Sequence, residues 1–130
     1  MLYPSAIEVT LAWMNFLNEG KADEVAKLYA EEAILIPTFS PLFLKTPEKR
    51  AAYFNTLGSK PNLRVELHQE TLRVQKLTST VWTSCGIYKF IFDVDEVPLT
   101  FEARFTFVLD LERESPIIQH HSSQIPRTLG

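Results

Sequence analysis

Leu99-Thr100-Phe101-Glu102-Ala103-Arg104-Phe105-Thr106-Phe107-Val108-Leu109-Asp110-Leu111 alternates without a fault, every odd position being apolar. Successive side chains of an extended chain point to opposite sides, so this period of two places the odd residues on one face of a single long strand. Thr100, Glu102, Arg104, Thr106, Val108 and Asp110 take the other face. Immediately upstream, Asp93-Val94-Asp95-Glu96 reads as an acidic hairpin connection. The strand before it, over 80–92, carries Trp82, Tyr88, Phe90 and Phe92 on one face and Val81, Cys85, Ile87 and Ile91 on the other. Further back, Leu63, Val65 and Leu67 share a face while Leu72 and Val74 have the opposite parity, which predicts a bulge near 69–71. A last strand is expected over 117–125, closed by Pro126.

Ahead of these strands the period changes to that of a helix. Ile7, Leu11, Met14, Phe16 and Leu17, with Ala12 and Trp13 beside them, predict a first helix over 5–18, with Ser5 and Glu8 as a capping box and Gly20 as terminator. A second helix is expected over 22–30 with Val25, Ala26, Leu28 and Tyr29 buried, then a short strand at 33–36 stopped by Pro37. An aromatic loop with Phe39 and Phe43 follows. Thr46-Pro47 opens a third helix that runs to Gly58. Helices followed by a meander of long strands define an α+β domain in which a strongly bent antiparallel sheet wraps the N-terminal helices, a single domain over 1–130. The outward face of the two longest strands also reads as apolar, and three short helices cover only one side of a sheet, so a homodimer is expected.

The chain has 130 residues, 45% hydrophobic and 22% charged, enough for a real core and too apolar for disorder. Sixteen acidic and 13 basic side chains leave a charge of −3, and the basic ones form no cluster, which argues against nucleic acid. The single cysteine, Cys85, forms no internal disulfide and sits where a structural thiol would. There is no signal peptide pattern and no apolar run long enough for a membrane span, so a cytoplasmic protein is expected.

The order and spacing of several fragments carry a family resemblance. They are Glu102-Ala103-Arg104, Gln119-His120-His121-Ser122-Ser123 followed by Pro126, Leu35-Ile36-Pro37-Thr38, the Thr46-Pro47 start and Gly86-Ile87-Tyr88-Lys89-Phe90. With these the whole chain resembles the nuclear transport factor 2-like superfamily, and within it the SnoaL-like branch related to the association domain of calcium/calmodulin-dependent protein kinase. The resemblance implies a cone of bent sheet closed by helices, with higher rings beyond the dimer in the kinase domains. No kinase signature accompanies it: a glycine-rich phosphate loop and a His-Arg-Asp triplet are both missing. Where the family commonly shows His-x-His-x-Ser, this chain has Gln119-x-His121-x-Ser123, and glutamine cannot act as acid or base near pH 7.

Arg104 has two readings. Either it pairs with Glu102 as a half-buried ion pair, or it offers an open fork inside the cone to a small carboxylate or other anionic ligand, as the resemblance to the kinase domains implies. Gln119, His121 and Ser123 share a strand face and either bond to one another or line the polar floor of a pocket with Arg104, while His120 and Ser122 point the other way, toward a dimer seam or solvent. Trp13, Tyr29, Phe39 and Tyr88 are core residues that could wall such a pocket. Adjacent histidines project to opposite faces, so no metal site is expected, and no cofactor. The leading functional expectation is a small-molecule-binding or association module. The runner-up is a cofactor-independent isomerase, dehydratase or cyclase with His121 as general base, and the third is an oligomerising domain whose cone is filled by its own side chains.

Overall fold

A computed structural model describes residues 2–126. Helix α1 spans Ala6–Asn18 and opens on Ser5, whose hydroxyl accepts the Glu8 amide at 3.2 Å. Its buried stripe is Val9, Trp13 and Leu17, while Ile7 and Leu11 face outward. That rotates the expected apolar face by about a quarter turn, with Met14 and Leu17 still buried. Gly20, with φ +73°, reverses the chain into α2, Ala22–Lys27. The second helix is shorter than expected because Leu28 already gives its carbonyl to the amide of Ile117, and Tyr29 opens strand β1, Tyr29–Ile36. Helix α3, Pro47–Gly58, starts on the expected Thr46-Pro47 cap.

Strands β2 (Arg64–Leu67) and β3 (Arg73–Lys76) both pair with β4 (Val81–Val94), and the change of parity between them is taken up by a 3₁₀ turn at Gln69–Thr71. Strand β5, Val97–Asp110, pairs with β4 along its whole length through a two-residue turn in which Asp95 and Glu96 both have positive φ, as a tight hairpin demands. Strand β6, Ile117–Gln124, lies between β5 and β1, antiparallel to the first and parallel to the second. The result is a curved, unclosed six-stranded sheet in the order β1-β6-β5-β4-β2, with β3 also on β4. Its antiparallel character holds for every pair but β1–β6.

The alternation of β5 holds: Ala103, Phe105, Phe107 and Leu109 are buried, and Glu102, Arg104 and Thr106 are exposed on the outer face. On β4 that outer face is half-buried and apolar at Cys85, Ile87 and Ile91, but on β5 it is mostly polar, so the expected two-strand apolar outer surface is confined to one strand.

Candidate functional site

One residue decides what faces the inside of the cone. Ile117 is fully buried against Leu109, and counting by twos from it would turn Gln119, His121 and Ser123 inward. The register instead shifts at Ile118: Val108 stands opposite Gln119, Leu109 opposite Ile117. This bulge flips the strand beyond it. His120 and Ser122 enter the core at 2% exposure each, across from Phe107 and Phe105, and Gln119, His121 and Ser123 are exposed beside Val108, Thr106 and Arg104. The sequence expectation is therefore corrected on both counts. The polar floor inside the cone is His120 and Ser122. Arg104 and the Gln119/His121/Ser123 row lie together on the outside, and Arg104 forms no ion pair with Glu102.

Of the expected wall, the fold brings Trp13, Tyr29 and Tyr88 together. Trp13 stacks on Tyr88 with ring centroids 5.5 Å apart, and its indole N–H donates to Tyr29 Oη at 3.0 Å. Tyr29 Oη lies 2.7 Å from His120 Nδ1, and Tyr88 Oη lies 3.1 Å from His120 Nε2. A neutral imidazole has one N–H and one lone pair; because Tyr29 Oη already accepts the Trp13 N–H, its own proton goes to His120 Nδ1, and His120 Nε2–H donates to Tyr88 Oη. Burial, with the neighbouring His121 second, pushes His120 down to about 3, so it stays uncharged. Burial also raises Tyr29 and Tyr88 well above the usual phenol range, the Ser122 and Thr38 hydroxyls beside Tyr88 opposing that rise. Thr38 and Ser122 form a short hydroxyl pair close by. The void these groups enclose is only about 10 Å³.

Space opens further out. Between α3 and the loop that carries Phe39 lies a cleft of about 450 Å³, floored by Leu57 and Phe92 and bounded by Lys49 and Lys60. Tyr53 and Leu57 line both the cleft and the inner void. Tyr53 Oη accepts the Phe39 amide at 3.3 Å, and burial raises its hydroxyl to about 12. Phe39, half-buried, belongs to this mouth rather than to the inner chain; its ring meets the edges of Phe90, Phe92 and Phe101.

Arg50 escaped the sequence reading altogether. It is 1% exposed and donates to the carbonyls of Ala33 (2.6 Å), Ala30 (2.8 Å) and Glu31 (3.1 Å). Between the pairs Tyr29/Ile117 and Ile34/Gln119 the β1–β6 ladder breaks, and these are carbonyls of the broken stretch. A guanidinium fork replaces the missing strand partners there. Among the described residues no group of three His, Cys, Asp or Glu is placed to hold a metal ion, and no helix is long and apolar enough to cross a membrane.

Comparison with known proteins agrees with this architecture. The SnoaL-like domain family matches residues 7–128. A solved structure from Xanthomonas campestris, named for the calcium/calmodulin dependent protein kinase II association domain, superposes with a TM-score of 0.82 at 27% identity, covering 94% of this chain and 86% of its own. A ketosteroid isomerase-like protein from Erwinia carotovora atroseptica gives 0.73 at 10% identity over 93% and 94% of the two chains. The epoxide hydrolase/cyclase-like enzyme of pyran ring formation in salinomycin gives 0.73 at 15% over 92% and 89%. Among curated proteins, none matches.

Proposed function

The chain belongs to the SnoaL-like domain family, and from that premise we propose that it is a small-molecule-binding, self-associating module rather than an acid–base catalyst. The observation that carries this reading is the contrast in space: an open cleft of about 450 Å³ at the mouth, and behind it a void of about 10 Å³ whose polar groups already bond to one another. A volume of that order is what a metabolite-sized ligand needs. His120 has both ring nitrogens occupied, and His121, the base of the catalytic alternative, faces away from the cone. We assign self-association to the outer sheet face, where β4 leaves Cys85, Ile87 and Ile91 half-buried; the relative named for an association domain supports it.

Native mass spectrometry of protein purified from its source tests both halves. The expected spectrum shows a multiple of 14.9 kDa with a small molecule retained per chain. A bare 14.9 kDa species throughout the micromolar range would overturn the reading.

One observation favours an isomerase, dehydratase or cyclase as the second reading. Tyr88 is a buried phenol that burial keeps protonated, next to the inner void, and such a group can hydrogen-bond a developing oxyanion. Turnover of a carbonyl substrate that is lost in Tyr88→Phe and kept in His121→Gln would establish it.

A further inference from the structure

We infer that the cleft selects amphipathic anions: an apolar body on Phe39, Leu57 and Phe92, and one carboxylate-like or sulfonate-like head taken by Lys60 or Lys49. This deepens the binding-module reading and rests on it. The cleft follows from one face of α3. Lys49, Ala52, Tyr53 and Thr56 stand at i, i+3, i+4 and i+7 on α3, so they share one helix face, and Lys60 follows two residues past the helix end. Small side chains in the middle, Ala52 and Thr56, leave the trough; Lys49 stands in the first turn of α3 and Lys60 just past its last turn.

The charges in this trough are unbalanced. Among the described residues no carboxylate lines it, in a chain with 16 acidic residues, and neither lysine has a carboxylate within ion-pair distance. Lys60 Nζ lies instead 6.0 Å from the centre of the Phe92 ring, above the cleft floor. A cation held over an aromatic surface, beside an apolar wall formed by Phe39, is complementary to a molecule with an anion at one end and a ring or alkyl body at the other. Both lysines are exposed and, among the described residues, without an ion-pair partner, so the ligand can enter in either direction and only one head group is required.

The probes are 8-anilinonaphthalene-1-sulfonate and its neutral counterpart N-phenyl-1-naphthylamine, titrated by fluorescence into the full chain. The sulfonate is expected to bind more tightly, and raising the salt should weaken it alone. The double variant Lys49→Met and Lys60→Met should lower sulfonate affinity about fivefold, the size expected for losing the one exposed charge contact that either lysine can supply, and move the neutral probe less than about twofold. Ala52→Trp, which fills the trough from an exposed helix position, should abolish both. Equal affinity of the two probes, unaltered in the double variant but abolished by Ala52→Trp, would overturn the anion selectivity and leave the cleft as a binding site. Binding of both that survives Ala52→Trp, or of neither to the wild type, would bring down the cleft itself and the reading on which this inference rests.

Discussion

His120 and His121 share a side chain and differ by one position, yet the fold sends them to opposite sides of the same sheet. Inside, His120 is clamped between two tyrosine hydroxyls and packed on Phe107 with ring centroids 4.2 Å apart. Outside, His121 stands opposite Thr106, exposed, next to Arg104 in the neighbouring pairs. Residue chemistry did not make this choice. The bulge at Ile118 did, by spending one residue without advancing the ladder, and it exchanged a row of Gln119, His121 and Ser123 for a row of His120 and Ser122 in the core.

Removing that residue breaks the comparison most severely. Deleting Ile118 forces either a slipped ladder or three polar side chains into an aromatic core, and the protein is expected to lose more than about 4 kcal/mol, or to lose cooperative unfolding in urea. Ile118→Ala keeps the bulge and trims a half-buried side chain, for a cost of about 1 kcal/mol. Equal stability of the deletion and the wild type would show that the bulge does not set the faces.

Replacing each histidine with leucine separates the two environments next. His120→Leu strands the hydroxyls of Tyr29 and Tyr88 without their shared partner and should cost about 2–4 kcal/mol in urea unfolding. His121→Leu should leave the unfolding midpoint where it is. Similar losses in both would mean that the inner chain contributes nothing specific.

A third test is a pH dependence. In the folded state His120 stays neutral down to about pH 3, while in the unfolded chain it takes up a proton near 6.5. Between those values the unfolded state binds the extra proton, so this contribution to stability is complete above pH 6.5 and is lost on acidification at about 1.4 kcal/mol per pH unit. Chemical denaturation at a series of pH values should therefore show a shallower acid slope for His120→Gln than for the wild type between pH 6.5 and 4. Parallel slopes would contradict a neutral buried imidazole.

Much of the fold was legible because it rests on local pattern. The perfect alternation of β5, the parity break before β3 and the Thr46-Pro47 start all appear in the structure where the sequence put them. The candidate site was legible in composition and not in direction. Trp13, Tyr29 and Tyr88 were singled out and do meet, but the bulge at Ile118 exists only as a mismatch between two strands, and no property of residues 117–123 alone reveals it. Arg50 was hidden for the same reason. Between Lys49 and Ala51 it reads as one more solvated helix charge, and its need becomes visible only once β1 is seen to leave three carbonyls without strand partners. Lys49 had a local signal that was missed: the i, i+3, i+4, i+7 row on α3 with small residues at its centre, Lys60 lying just past the helix end.

The place of β6 between β1 and β5 has a consequence for the order of folding. The strand that comes last in the sequence among the described residues is an interior one, and β1 joins the sheet only through it. A nascent chain that has been synthesised as far as β5 thus has the helices, β1 and most of the sheet, yet no way to connect β1 to the rest, and both flanking edges stay open to foreign strands. Closure needs contacts between residues some ninety positions apart, such as Tyr29 with His120, which makes folding a late and comparatively slow event rather than one that proceeds as the chain emerges.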